Sequence, residues 1–136
     1  MDALGQEGDY MDRSKKMSET EAEIMEVLWN SEAPMSAAEL IGHFAEQRGK
    51  VWKAPTLATF LSRLSQKGLV GSVRRGRVPY YHPIQTRAAY QQSIAQELLD
   101  TMYQGSVTKF FAALCGDTPL SAKDREELRA WLDEET

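Results

Sequence analysis

The chain has 136 residues, a mass of 15.3 kDa and a formal net charge of −4, with 42% apolar and 26% charged residues, which predicts one folded domain of ordinary size or a small domain with an appended module. No apolar run reaches the roughly 18 residues of a membrane span, and no basic region followed by an apolar stretch opens the chain, so neither membrane insertion nor a secretory signal is expected. The single cysteine, Cys115, excludes an internal disulfide and a cysteine-rich zinc site, which leaves a reduced cytoplasmic protein without a cofactor.

The first segment of the chain, residues 1–17, shows no apolar periodicity. We expect it to form a flexible tail. Met11 and Met17 are alternative start positions within it. The folded part of the chain is therefore predicted to begin at residue 18.

Three short amphipathic helices are predicted after this tail. A capping-box pattern at Thr20–Glu23 opens the first helix, which ends before Pro34, and a second capping box at Ser36–Glu39 opens the next. The third helix begins near Pro55, because proline suits the first turn of a helix, and ends at Gly68. The apolar residues at helical spacing are Ile24, Val27 and Leu28 in the first helix, Leu40, Ile41 and Phe44 in the second, and Leu57, Phe60, Leu61 and Leu64 in the third.

A β-hairpin is predicted next, because the apolar period changes to that of a strand. Residues 69–74 form its first strand, residues 75–76 its turn and residues 77–81 its second strand. Pro79 lacks an N–H group and places the second strand at a sheet edge. Three helices followed by a basic-tipped hairpin predict a winged helix-turn-helix domain over residues 18–83.

Residues 84–136 are predicted to form a helical dimerisation domain, so that the whole chain is mainly α with a small β-hairpin. Helices are expected from Thr86 to Tyr103, around Phe110 and after Ser121. They are too small to enclose their aromatic residues within one chain, and a symmetric dimer would bury them. Packing against the first domain is the alternative. The residues predicted to form the dimer interface are Ile94, Leu98, Met102, Phe110, Phe111, Leu114, Leu128, Trp131 and Leu132.

The charges are distributed unevenly along the chain. Residues 1–47 carry 3 basic and 11 acidic side chains, and residues 84–136 carry 5 basic and 9 acidic. Residues 48–83 carry 8 basic side chains and no aspartate or glutamate. Such a stretch indicates a surface for a polyanion, with a solvated basic surface as the alternative.

The third helix and the hairpin tip are the predicted DNA-binding surface. Burial of the leucine side of the helix would turn hydroxyl, guanidinium and amide side chains outward, and these groups can bind base edges in the major groove. The arginines of the hairpin tip would contact the DNA backbone or the minor groove. For Arg63 the alternative is an ion pair with the first helix. For Thr56 and Thr59 the alternative is an ordinary solvated helix surface. The predicted contact residues are Lys53, Thr56, Thr59, Arg63, Gln66, Arg74, Arg75 and Arg77.

These residues resemble the penicillinase repressor family of bacterial transcription factors, which includes the methicillin-resistance and copper-responsive repressors. The resemblance runs from Ser18 to Leu132 and is most specific at Glu21–Trp29, Trp52–Leu64, Lys67–Leu69 and Arg75–Pro83. It implies a homodimer that binds double-stranded DNA at a palindromic operator, with the third helix in the major groove. It also implies a membrane sensor-protease as an upstream regulator.

The sequence departs from the family pattern at three places. The copper-responsive members have paired C-terminal cysteines, whereas this chain has Cys115 alone, so metal sensing by that route is not expected. The cleaved members are cut at an Asn-Phe bond, and Ala113-Leu114 stands at that place here. Ala54 occupies a helix-start position where serine or threonine would cap better.

The predicted function is that of a dimeric, sequence-specific transcriptional repressor. A winged helix that binds protein and not DNA is the alternative, and the lack of carboxylates between residues 48 and 83 argues against it. An enzyme is excluded because His43 and His82 have no cysteine or carboxylate at nucleophile or ligand spacing, and no glycine-rich phosphate loop is present.

Overall fold

The structure is a computed structural model that describes residues 16–135, so the predicted tail lies outside the described residues apart from Lys16 and Met17. It confirms a mainly helical fold with a small antiparallel sheet. In chain order the elements are α1 (Glu19–Asn30), β1 (Met35–Ser36), α2 (Ala37–Arg48), α3 (Ala54–Gln66), β2 (Val70–Arg75), β3 (Val78–Pro83), α4 (Arg87–Tyr103), α5 (Val107–Cys115) and α6 (Ala122–Glu135).

The chain divides into two compact units, and the division falls inside α4, between Ile94 and Ala95. The sequence instead suggested a boundary after residue 83. The difference has a physical reason, because Tyr90 is buried in the core of the first unit and Ile94 packs against that core. The first turns of α4 therefore belong with the three preceding helices and the sheet.

The start of α1 corrects the sequence analysis. The capping box predicted at Thr20–Glu23 is wrong, and the helix is capped by Ser18. The Ser18 hydroxyl accepts a hydrogen bond from the Glu21 backbone N–H at 3.1 Å, and the Glu21 carboxylate accepts one from the Ser18 N–H at 2.8 Å. Ser18–Glu21 and Thr20–Glu23 both have the capping-box pattern, a serine or threonine followed three residues later by a glutamate. The box predicted for α2 is confirmed, with Ser36 and Glu39 bonded at 3.0 and 3.1 Å.

The core of the first unit is formed by α1, α2, α3 and β2, together with the first turns of α4. One side of α3 contributes Leu57, Leu61 and Leu64, each at most 1% exposed. Ile41 and Phe60 lie at the edge of this core rather than inside it. The other buried apolar residues are Ile24, Met25, Val27, Leu28, Leu40, Phe44, Trp52, Leu69, Val70 and Tyr90.

The sheet has the order β1-β3-β2, so β3 lies in the middle and the prediction of an edge strand from Pro79 is wrong. The proline is nevertheless tolerated for a local reason. β1 pairs only with Tyr80 and Tyr81, so at Pro79 the strand has β2 as its one neighbour in the sheet. Pairs along antiparallel strands alternate between hydrogen-bonded and non-bonded, and Arg75 and Val78 form the pair that flanks the two-residue turn. The next pair, which contains Pro79, is therefore one that needs no N–H donor.

The second unit exposes much of its apolar surface. No residue of α5 or α6 is buried in the described chain. Phe110 packs against Tyr103 and Phe111, with ring centroids 5.6 Å apart in each pair. The apolar side chains that stay exposed are Leu98, Met102, Val107, Leu114, Trp131 and Leu132. Among residues 16–135, no helix combines the length and apolar character that a membrane crossing requires.

Candidate nucleic-acid interface

The outward side of α3 presents the polar residues that the sequence analysis selected. Thr56, Thr59, Arg63 and Gln66 are all exposed, because they lie opposite the buried leucines. The Thr59 hydroxyl donates a hydrogen bond to the Pro55 carbonyl oxygen at 3.1 Å, which restrains its rotation. The predicted contact residues on this side of the helix therefore supply two hydroxyls, one guanidinium and one amide.

The N-terminal end of α3 is left open. Lys53 is the residue that precedes the first turn, and its side chain makes no capping hydrogen bond. Pro55 lies in the first turn and lacks an N–H, which reduces the number of unpaired donors. The remaining N–H groups, with the exposed ammonium of Lys53 beside them, form a positive end that suits a phosphate oxygen.

Arg63 is held by an aromatic ring rather than by a carboxylate. Its guanidinium carbon lies 5.3 Å from the centre of the Phe60 ring, and the Phe60 ring in turn lies 5.6 Å from that of Trp52. No carboxylate in the described chain pairs with Arg63, so the alternative of an ion pair with the first helix is wrong. A stacked guanidinium keeps its N–H donors free at its edge. Arg63 is therefore restrained and still available for hydrogen bonds.

The C-terminal end of α3 is held by a largely buried ion pair. The Lys67 ammonium donates to the Glu21 carboxylate at 2.7 Å and to the Lys16 carbonyl oxygen at 2.8 Å. The two side chains are only 14% and 3% exposed. Burial alone would raise the pKa of Glu21, but the hydrogen bonds from Lys67 and Ser18 and the positive charge of Lys67 outweigh it and hold the pKa below its ordinary value. Glu21 is therefore ionised at neutral pH and ties α3 to the start of α1.

The β2–β3 hairpin presents its arginines on both faces. Its turn consists of Gly76 and Arg77, one residue later than predicted, and Gly76 has a φ of +68°, which favours glycine. The Arg74 guanidinium donates to the Arg77 carbonyl oxygen at 3.0 Å. Arg75 lies over the Tyr80 ring at 4.5 Å. Since neighbouring residues of a strand point to opposite faces, Arg74 and Arg75 reach different sides of the hairpin.

The basic side chains of the first unit differ in whether they have a carboxylate partner. Of the basic residues between 48 and 83, Lys50 and Lys67 pair with α1 carboxylates, at 2.9 and 2.7 Å. Within the described part of the chain, the five cations of the predicted DNA-binding surface make no such pair. All five are exposed, and they are Lys53, Arg63, Arg74, Arg75 and Arg77. A surface with uncompensated positive charge attracts a polyanion.

The histidines show no arrangement for catalysis or metal binding. His43 packs edge-on against Phe44, with ring centroids 6.1 Å apart, and Nδ1 of His82 lies 3.2 Å from the Pro83 carbonyl oxygen. Between residues 16 and 135, no three histidine, cysteine or acidic side chains come together as they would in a metal site.

Comparison with known proteins identifies the family of the chain. The sequence pattern of the family described as penicillinase repressor matches residues 17–134. The chain belongs to the penicillinase repressor family. It is therefore a DNA-binding transcriptional repressor and not an enzyme.

The similarity to individual relatives extends over both units. The chain is 26% identical over 124 residues to the penicillinase repressor of Bacillus licheniformis, which covers 91% of this chain and 94% of the relative. It is 22% identical over 117 residues to the methicillin resistance regulatory proteins MecI of Mammaliicoccus sciuri and Staphylococcus aureus (strain N315), covering 86% of this chain and 93% of each relative.

Two features of this repressor were missed by the sequence analysis. One is the pairing of Glu21 with Lys67, which joins residues far apart in the chain and has no local signal. The other is Arg87, which bonds to the Glu26 carboxylate and the Asn30 side chain. The lack of carboxylates between residues 48 and 83 indicated a basic surface, but it could not show which of these cations pair with carboxylates elsewhere in the chain.

The Glu21–Lys67 ion pair leads to a prediction about stability. Glu21→Gln should lower the free energy of unfolding at pH 7 by about 1.5–3 kcal/mol, the usual range for hydrogen bonds to a charged group. Because the folded pKa of Glu21 lies below its ordinary value of 4.5, its contribution is complete above that value and is lost as the pH falls through the folded pKa. The difference between the wild type and the variant should therefore shrink on acidification. Urea titrations at several pH values measure it.

Glu23→Gln is the matched control. Glu23 also lies on α1 and also pairs with a lysine, Lys50, but its side chain is 43% exposed. Its effect at pH 7 should be about 0–1 kcal/mol, as for exposed ion pairs. An equal loss in both variants, or a Glu21→Gln effect that does not change with pH, would contradict the role assigned to Glu21.

Proposed function

We propose that two copies of this chain form a dimer that represses transcription by binding an inverted-repeat operator. In each copy α3 lies in the major groove, and the β2–β3 hairpin contacts the backbone or the minor groove. The observation that carries this proposal is the exposed surface of the first unit, where five cations have no carboxylate partner in the described chain. A polyanion such as DNA would neutralise these charges and release its own counterions.

The outward side of α3 is suited to base recognition. Arg63 can donate to both acceptors of guanine, Gln66 can pair with adenine, and the hydroxyls of Thr56 and Thr59 can bind bases or phosphates. The stack of Arg63 on Phe60 fixes the guanidinium before binding, so less side-chain entropy is lost in the complex. Lys53 and the open N-terminus of α3 would bind a phosphate and set the register of the helix.

The second unit supplies the dimer contact in this proposal. Apolar side chains on α4, α5 and α6 remain exposed, and some are large: Met102 is 62% exposed, Leu114 59% and Trp131 54%. An exposed apolar surface on so small a unit is favourable only when another surface covers it. A second copy of the same chain would cover it with the two-fold symmetry that an inverted repeat requires.

Control by a membrane sensor-protease, implied by the family resemblance, would act on the second unit. The bond at the expected position joins Ala113 and Leu114, which lie inside α5 with both side chains exposed. A protease binds an extended chain, so cleavage at this bond requires α5 to unwind locally. A protease acting at this position would have to accept two apolar residues in place of the Asn-Phe pair of the cleaved family members.

Selection of duplexes from a random DNA pool at two salt concentrations tests the proposal. An enriched inverted repeat that binds more weakly at higher salt is the expected result, because each neutralised phosphate contributes about −0.9 to the log–log slope. Binding without enrichment would contradict sequence-specific repression. No binding at low salt would contradict the proposal and favour the alternative, in which the winged helix of the first unit binds a protein.

Arg63 and Arg75 should differ in what they contribute to binding. Arg63→Ala should cost about 1–3 kcal/mol and relax the preference at one base pair, since Arg63 lies on the recognition helix. Arg75→Ala should weaken binding to all sequences alike and reduce the salt slope, as expected for a phosphate contact. Titrations of the selected operator and of single-base variants at several salt concentrations measure both effects. Uniform weakening by Arg63→Ala would assign that residue to a phosphate, and an unchanged slope for Arg75→Ala would remove the hairpin from the interface.

Leu114→Glu should separate the dimer into monomers. Leu114 is 59% exposed, so the substitution leaves the protomer intact but buries an unpaired charge in the dimer. Phe110 is a poorer choice, because it packs inside its own unit. Light scattering measures the mass, and Ala112→Glu on the other side of α5 is the control. A Leu114→Glu variant that stays dimeric would place the interface elsewhere.

A further inference from the structure

The Arg63 side chain lies back along α3, over the ring of a residue one turn earlier. Long side chains of a helix point toward its N-terminus, so the residue three positions before is a natural contact. Here that residue is Phe60, and the guanidinium carbon of Arg63 lies 5.3 Å from its ring centre, within the range of a cation–π contact. The guanidinium is therefore directed toward the N-terminal half of the helix, the end that carries Thr56 and Thr59.

The Phe60 ring is supported by two more aromatic rings. It meets Trp52 edge-on, with ring centroids 5.6 Å apart and ring planes at 73°, and Trp52 meets Phe44 in the same way at 5.9 Å and 74°. Edge-to-face pairs at such distances are favourable. Phe44 is fully buried and Trp52 is 8% exposed, whereas Phe60 lies partly buried at the edge of the core. The three rings therefore connect the core to the exposed guanidinium.

A second cation restrains the middle ring of this series. The Lys50 ammonium lies 4.8 Å from the centre of the Trp52 ring and donates to the Glu23 carboxylate of α1 at 2.9 Å. Trp52 thus contacts Lys50, Phe44 and Phe60 together, and its indole has little freedom to rotate. A restrained indole limits the movement of the Phe60 ring that packs against it.

We infer that Phe60 is a specificity-determining residue, which positions the Arg63 guanidinium for one base pair in each half-site. This inference rests on the proposed function, because it assumes that α3 lies in the major groove. Phe60 itself contacts no base in this scheme. Its ring face holds the guanidinium, whose N–H donors remain free at the edge for the two acceptors of a guanine.

Restraint of Arg63 affects matched and mismatched sites differently. An arginine without a ring beneath it has many rotamers, and fixing one of them on a base loses side-chain entropy and weakens binding. At a mismatched base pair the guanidinium makes no ordered contact, so this loss does not occur. A free side chain can also turn to a phosphate oxygen, which every sequence provides. Loss of the Phe60 ring should therefore weaken binding to the matched site and leave binding to the mismatched site nearly unchanged.

The variants separate the ring from the apolar volume of the side chain. Phe60→Leu removes the ring, keeps an apolar side chain at the edge of the core and introduces a residue with high helix propensity. Phe60→Met is a second variant of the same kind. Phe60→Tyr is the matched control, because it keeps the ring face beneath Arg63. Phe60→Leu is also combined with Arg63→Ala, since the ring should not affect base preference when the guanidinium is absent.

The experiment measures binding of each full-length protein to the selected operator and to a duplex with one half-site changed at the base pair whose preference Arg63→Ala relaxes. The ratio of the two affinities should be about tenfold or more in the wild type and in Phe60→Tyr. In Phe60→Leu and Phe60→Met it should fall by about two- to tenfold, the effect of ordering one long side chain. The ratios at other base pairs and the salt slope should not change. The combined variant should give the ratio of Arg63→Ala alone, and urea titrations check that each variant is folded.

Every other result contradicts a stated claim. A wild-type ratio in the folded leucine or methionine variant would overturn the role of Phe60, and so would an equal fall in Phe60→Tyr. A similar fall at every base pair would show that the ring supports the whole helix, which also overturns the inference. A further loss of preference in the combined variant would show that the ring does not act through Arg63.

Two results distinguish the inference from the proposed function. A wild-type protein that selects an inverted repeat, with an Arg63→Ala variant that keeps every base preference, contradicts the inference alone. A wild-type protein that selects no inverted repeat contradicts the proposed function.

Discussion

Burial of one side of α3 is the constraint on which the candidate interface depends. Leu57, Leu61 and Leu64 are almost completely inaccessible to solvent, and a helix that buries residues at this spacing has its orientation about its own axis fixed. The opposite side is then determined, and it carries the polar side chains that the proposed function requires. The interface needs no additional element to hold it, since the hydrophobic core that stabilises the first unit also selects which side chains face outward.

The cations of the first unit fall into two groups. One group pairs with carboxylates and holds helices together, and the other group is exposed and unpaired on the candidate interface. Carboxylates of α1 pair with Lys50 and Lys67, near the two ends of α3, and with Arg87 at the start of α4. The middle of α3 and the hairpin tip have no acidic partners in the described chain. The acidic first helix therefore neutralises cations that hold the elements together and leaves those of the exposed surface unneutralised. A net negative chain can present a positive surface for this reason.

Much of the fold follows from local sequence, and the errors come from interactions that are not local. The box at Ser36–Glu39, the leucine stripe of α3 and the hairpin have strong local patterns, and the structure shows each of them. The two candidate boxes at the start of α1 are equal by local rules, and Glu21 is selected because its carboxylate also binds Lys67. β1 has two residues and no detectable period, so the sequence could not show that β3 has a second neighbour. The position of Arg63 depends on Phe60 and the rings behind it, which local charge patterns do not reveal.

The Glu21 carboxylate has a consequence for how the first unit opens. One of its oxygens, Oε1, accepts both the hydrogen bond that caps α1 and the hydrogen bond from the lysine that follows α3. Fraying at the start of α1 therefore removes a partner from the end of α3, and the reverse also holds. Helix ends normally open independently and exchange their amide hydrogens quickly. In this repressor, opening of the first turn of α1 and opening of the last turn of α3 are therefore coupled through one carboxylate, which makes the end of α3 more resistant to local unfolding than an unsupported helix end.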